Sequence, residues 1–304
     1  MSTTALADIL APGATLERLA TGATWGEGPA WIPATRTLRF SDIPGNRILQ
    51  WSADTGELTV YQTDVEFANG RTLAADGSVI QCSHGRRAIE RERDGHLETL
   101  IDRFGDHRLN SPNDVIVHSD GSIWFTDPPY GITQAHEGHL GTPEYGGNYV
   151  FRLVPDGTLS AVITDMEEPN GLAFSPDERI LYVTDTSAAL RTDGTGHHHI
   201  MKFDVVAHPG GPPTLESGHV FAEISPGLAD GIRVDEDGRV FSSSASGVQV
   251  FSPEGELLGV IEVPETVGNL TFGGPEGTDL FIVATTSLYR IPTRVRDASS
   301  RWRS

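Results

Sequence analysis

One pattern recurs six times along this chain and constrains its fold more than any other feature. It is a polar residue, usually followed by a small one, then an alternating apolar stretch that ends in a turn. The copies read Glu27-Gly-Pro-Ala-Trp31, Asn69-Gly-Arg-Thr-Leu-Ala74, Asn113-Asp-Val-Ile-Val117, Asn170-Gly-Leu-Ala-Phe174, Asp230-Gly-Ile-Arg-Val234 and Asn269-Leu-Thr-Phe272. Successive copies start 42, 44, 57, 60 and 39 residues apart. After each comes a turn such as Asp120-Gly121, Pro176-Asp177 or Asp237-Gly238, then a run of branched and aromatic residues, as at 122–126, 180–184 and 239–243. Further runs follow, separated by turns such as Pro155-Asp156-Gly157 and Pro253-Glu254-Gly255. Such runs, bounded by Gly, Asp and Pro, are strands in hairpins.

Each unit is therefore a four-stranded antiparallel meander of the size of a propeller blade. Six units predict an all-β, six-bladed β-propeller, with blades starting near residues 27, 69, 113, 170, 230 and 269 and the whole chain, 1–304, as one domain. The last unit runs out one strand short after 287–291, and the segment 15–20 is the expected supplier of that strand. Closure of this kind leaves no open sheet edge. A two-layer sandwich is the competing architecture, but six similar units argue against it. The Trp-Asp signature of the WD40 class is absent.

Charge narrows the partners. The chain carries 22 basic and 42 acidic residues, a formal charge of −20. So acidic a surface repels phosphate backbones and anionic lipid, so neither nucleic acid nor membrane is expected as a partner. No apolar run reaches membrane-spanning length, and the first twenty residues lack the basic and apolar regions of a secretory signal. A cytoplasmic protein is the expectation. The single cysteine, Cys82, excludes an intrachain disulfide and is expected to be a small buried residue.

In a propeller the first strand of each blade lines the central channel. Glu27, Asn69, Asn113, Asn170, Asp230 and Asn269 should therefore ring one mouth. Taken singly each reads as a turn residue, since Asn-Gly and Asp-Gly are common turn dipeptides. Together they offer hard oxygen donors of the kind calcium, magnesium or manganese prefers. Glu27 and Asp230 would balance the charge of a divalent ion. The connection between second and third strands opens at the same mouth, and the two long insertions, 128–147 and 186–199, fall there, where pockets are built. Tyr130, in the stiff Pro128-Pro129-Tyr130 entry, is a candidate pocket wall or a packing residue. His84 follows a second strand and could reach the mouth. Arg108, in the loop before Asn113, reads either as a substrate contact or as a loop-anchoring cation. Asp127 and Asp185, ending second strands, either face the pocket or hold loop backbone. His197, His198 and His199 read best as a solvated loop, since adjacent side chains of an extended chain point to opposite faces. No Gly-x-Ser-x-Gly elbow or phosphate-binding Gly-rich loop occurs, so nucleophilic serine catalysis has no support.

Several of these motifs, Glu27-Gly-Pro-Ala-Trp31, Asn110-Ser-Pro-Asn-Asp114, Phe125-Thr-Asp-Pro-Pro-Tyr-Gly131, Pro169-Asn-Gly-Leu-Ala-Phe-Ser-Pro-Asp177 and Asp230-Gly-Ile-Arg-Val-Asp235, occur together in one order. That set resembles the gluconolactonase/regucalcin family over 25–291, and its bacterial gluconolactonase branch in particular. The resemblance implies one divalent ion, calcium first, with magnesium, manganese or zinc as alternatives. It implies Glu27, Asn113, Asn170 and Asp230 as the ligands, Asp230 also as general base, and hydrolysis of a sugar-type lactone. In the same family Asn69 and Asn269 match positions without a ligand role. The regucalcin branch has an arginine where this chain has Ser111, so that branch's substrate contacts do not carry over. Arg108 is the substitute cation, with Tyr130 and His84 the other expected substrate contacts. Phosphotriester or aryl ester hydrolysis, and a metal-binding propeller without turnover, are the competing functions.

Overall fold

The computed structural model describes residues 3–191, 193–208 and 213–301. Six four-stranded antiparallel sheets stand in a ring, as the repeat requires. The inner strands of blades one, two, four and six are Gly26–Ile32, Ala68–Leu73, Pro169–Phe174 and Val267–Gly273. In blades three and five the inner strand starts just after the repeat's polar residue, at Val115–Val117 and Ile232–Val234. The sixth blade is completed by Glu17–Thr21, which pairs antiparallel with Ser287–Pro292, so the strand expected at 15–20 starts two residues later and ends one residue later. A short helix, Thr3–Ile9, precedes it, and Leu6 and Ile9 pack on the cluster between blades five and six. The repeat carries no signal for that helix.

The apolar core lies between neighbouring blades rather than inside a single sheet. Aromatic pairs mark these seams: Trp124 on Phe174 between blades three and four, Phe241 on Phe272 between five and six, and Trp31 stacked on Phe281 between one and six. Centroid separations of 5.2 to 5.4 Å put each pair in contact, worth about 0.5–1.5 kcal/mol beyond the area buried. The seam between blades one and two is more polar. There Arg71, fully buried, donates to Gly28 O and Ser41 Oγ, while Arg39 pairs with Glu92 and lies over the Tyr61 ring. Cys82 is buried and free.

Two repeated devices draw the inner strands together. A hydroxyl on the second strand of one blade donates to the inner strand of the next: Ser41 to Asn69 O, Thr126 to Asn170 O and Thr184 to Asp230 O, at 2.6 to 3.0 Å. The second device is the glycine after the polar residue. A Cβ at Gly171 would lie 2.2 Å from Asp230 O, and one at Gly231 would lie 2.1 Å from Asn269 Cγ. The Asn-Gly dipeptides of blades two and four therefore sit inside strands, not in turns, and glycine is there because the neighbouring inner strand passes too close for a side chain. Blade three has Asp114 in the glycine's place, buried opposite Arg233 at 3.7 Å.

Candidate active site

Because inner strands run in one direction around the axis, their N-terminal ends share one mouth, and that mouth holds a cavity of about 300 Å³. Glu27, Asn69, Asn113, Asn170 and Asp230 all line it. A second cavity, about 530 Å³, occupies the other end of the channel, lined by Arg71, Arg233 and Arg296 among others. It is the larger, but the oxygen donors converge at the first. Among the described residues lining the 300 Å³ cup there is no lysine, arginine or histidine, against three carboxylates, Glu27, Glu137 and Asp230.

Glu27 is buried; its Oε2 accepts from Gly28 N and Asn269 Nδ2, both at 3.1 Å, while Oε1 is buried with no hydrogen-bond partner. Burial raises its pKa well above the ordinary carboxylate range, and the Asp230 and Asp114 charges push the same way. Asp230 is raised likewise, by burial first and then by the Glu137 and Asp114 charges. Its backbone is held on both sides: the N–H donates to Ser243 Oγ at 2.9 Å and the carbonyl accepts from Thr184 Oγ1. One buried carboxylate, Glu27, the half-buried carboxylate Asp230, two neutral amides beside them and an unpartnered carboxylate oxygen make a donor set that fits a divalent cation. Asn269 does not line the cup; its side chain is spent on Glu27 and on Leu270 N.

The expected substrate contacts separate in the structure. Tyr130 lines the cup, its hydroxyl buried near the Glu168 carboxylate without a well-formed hydrogen bond. His84 sits behind the lining, fully buried, with Nδ1 2.9 Å from Glu137 O and Nε2 3.1 Å from the Asn69 amide. Arg108 does not line the cup: Nη2 donates to Arg86 O at 3.0 Å, and its backbone N–H donates to Glu144. Of its two readings, the loop-anchoring one matches these contacts. Ser111, buried, accepts from Gly131 N and donates to Pro128 O, fixing the segment that carries Tyr130. Gly131 itself has no room for a side chain, since a Cβ there would lie 2.5 Å from His84 Cβ and 2.8 Å from Ser111 Cβ.

Both insertions contribute to the wall. The first, with a short helix at Tyr130–Thr133, supplies Tyr130, Gln134 and Glu137, and the second supplies Thr186 and Ala189. The aspartates ending second strands hold the chain entering the inner strand of their own blade. Asp42 accepts from Thr24 and Trp25 N–H, Asp127 from Asn110, and Asp185 from Glu167. Asp127, also bonded to the Tyr145 hydroxyl, is pushed up to about 7 by burial. Trp25, Gln134, Glu137, Thr186, Leu228 and Thr266 line the cup without having been legible as site residues.

His84 yields a pH prediction. Burial lowers its pKa from 6.5 to about 4, so the folded protein binds fewer protons there than the unfolded chain. Stability from this group is therefore full above about pH 6.5 and lost as pH falls toward 4, by roughly 3 kcal/mol in all. Urea unfolding of the wild type and His84→Gln between pH 7 and pH 4 should give curves that converge as pH falls; parallel curves would contradict a buried neutral imidazole.

Among the described residues no helix is long and apolar enough to cross a membrane. Residues 25–286 match the model of the SMP-30/gluconolactonase/LRE-like region. A gluconolactonase of Zymomonas mobilis is 32% identical over 95% of this chain and 83% of its own. The pentonolactonase XacC of Haloferax volcanii is 29% identical over 84% of this chain and 80% of its own. The solved structure of a Xanthomonas campestris gluconolactonase superposes with a TM-score of 0.86, at 42% identity, over 96% of this chain and 93% of that one.

Proposed function

The chain belongs to the SMP-30/gluconolactonase/LRE-like family, and from that premise we propose that it hydrolyses a sugar-type lactone in the cup, with Glu27, Asn113, Asn170 and Asp230 holding one divalent ion and Asp230 serving as general base. The observation that carries this reading is the buried, unpartnered Oε1 of Glu27 in a cavity with three carboxylates and, among its described lining, no cationic side chain. The names of the three relatives support a lactone as the substrate class. Hard oxygen donors with two formal charges suit calcium first, then magnesium or manganese, with zinc the least matched.

When bound, the ion supplies Lewis acidity toward the lactone carbonyl. The remaining steps belong to the chain. Trp25, Ile43, Leu228 and Val267 give the cup apolar wall, and Gln134, Thr186 and Tyr130 offer hydrogen-bonding groups for sugar hydroxyls. Asp230, made more basic by desolvation first and then by its negative neighbours, takes a proton from water as the water oxygen bonds to the carbonyl carbon. The ring C–O bond then breaks and the departing ring oxygen receives a proton, leaving the open hydroxy acid. Water and lactone are the only reactants consumed.

The test is pH-stat hydrolysis of glucono-1,5-lactone by metal-stripped protein, then with each ion restored, beside aryl ester and phosphotriester panels. Ion-restored lactone hydrolysis above the spontaneous rate supports the reading. Turnover of only the other esters, or of nothing with any ion, removes it.

A further inference from the structure

A second constellation lies on blade four, outside the donor set of the cup. Asp185 ends the second strand, His199 opens the third and faces it directly across the ladder, and His197 lies two residues before His199 in the connecting loop. Adjacent residues of an extended chain diverge, but residues two apart share a face. The His197 and His199 rings accordingly stack, with centroids 4.6 Å apart. One ligand atom from each of Asp185, His197 and His199 lies within 4.8 Å of the others.

The atoms at this point are underused. His197 Nδ1 is buried with no hydrogen bond, 3.5 Å from Asp185 Oδ2 and 3.9 Å from Glu167 Oε2. Glu167 Oε2 is itself buried and unpartnered, while Oε1 is held by Arg191 at 3.2 Å. The Asp185 carboxylate is already oriented, accepting from Ser187 N at 3.1 Å and Glu167 N at 3.0 Å. The loop holding His197 is folded back tightly: Ala188 N donates to His197 O, His197 N donates to Ser187 Oγ, and a Cβ at Gly196 would lie 2.4 Å from Ala188 backbone. Two orphaned buried atoms thus lie 3.9 Å apart beside a fixed carboxylate, with a second imidazole alongside.

We propose that Asp185, His197 and His199 bind a late first-row divalent ion of the zinc class, with Glu167 as a fourth donor. Imidazole nitrogen with carboxylate oxygen is a set that suits zinc, cobalt, nickel or copper rather than calcium, so this site differs in chemistry from the all-oxygen cup. With metal–ligand distances near 2.1 Å, donors on one ion stand at most about 4.2 Å apart. The Asp185–His197 pair already meets that, and the half-buried His199 ring closes the rest by rotation about its side-chain bonds. Such an ion would fasten the loop that carries Thr186 and Ala189 into the cup wall.

The test is equilibrium dialysis of the metal-stripped, full-length protein against Zn²⁺, with the visible spectrum of the Co²⁺ form as a second readout. The variants are His197→Ala, His199→Ala and, to disable the cup independently, Asp230→Asn; circular dichroism checks that each is folded. Asp230→Asn should keep one equivalent of zinc and a cobalt band of nitrogen-ligated character. Each histidine variant should weaken that binding by at least about 10–100-fold, the usual cost of even indirect damage to a metal site. If Asp230→Asn removes all zinc binding, or if the histidine variants bind zinc and cobalt as the wild type does, the site does not exist, and the lactonase reading is untouched by either result.

Discussion

In the Asp230→Asn variant, kcat for lactone hydrolysis is expected to fall by about 10²–10⁴-fold, the range that positioned general-base catalysis supplies. The fold should survive. Asp230 is tied to its neighbours through its backbone, by Ser243 Oγ and Thr184 Oγ1, and those bonds do not involve the carboxylate. The substitution also removes one negative charge from a cup with three carboxylates and, among its described lining, no cation, so metal-free stability should stay level or rise. Steady-state kinetics at saturating ion, beside urea unfolding with chelator, separates the two effects. A variant with near-wild-type kcat would take the base role away from Asp230. A rise in KM alone would reassign it to binding.

The second large effect concerns the ion. Chelation should lower the rate by about 10²–10⁴-fold, equivalent to the several kcal/mol that charge stabilisation by a metal contributes. It should also lower stability, since a ligand present at a hundred times its dissociation constant adds about 2.7 kcal/mol to the folded state. Glu27→Gln should raise the ion concentration needed to restore activity, because it takes a charge from the one donor with an orphaned buried oxygen. The calcium dissociation constant from the rate titration should also account for the continued rise of melting temperature with the logarithm of calcium concentration. Full activity in the presence of chelator would remove the ion from the chemistry.

How far the sequence reached depended on whether a feature repeats. The blades recur every 39 to 60 residues, so their number and inner strands were legible from the polar residues alone, and the closing strand was placed to within two residues at either end. The six polar ring residues belong to that same repeat, which is why they could be named together; singling out Glu27, Asn113, Asn170 and Asp230 among them comes from the family resemblance. What repetition does not encode was harder to see. Gln134 and Glu137 lie inside an insertion found in one blade only. Arg108, before Asn113, reads from sequence as either a substrate contact or a loop anchor, because its contacts with Arg86 and Glu144 are decided by loop folding. The glycines after the ring residues carry turn chemistry in their dipeptides, yet serve close approach between strands. The histidine tract was judged on adjacent residues, whereas the informative spacing was two, which sets His197 and His199 on one face.

Closing the sixth blade with Glu17–Thr21 has a consequence for how the molecule comes into being. Glu17 pairs with Arg290, and Asn269 reaches Glu27 across a separation of 242 residues. Contacts so distant in the chain are costly to nucleate and slow to form. During synthesis the early blades can assemble locally on the ribosome, but the ring must wait until its last strands have emerged. The four proposed donors of the cup come from four different blades, and one of them, Glu27, is held by Asn269 of the sixth. Enzyme activity regained during refolding should therefore lag behind β-structure, and its appearance would time the closing of the ring.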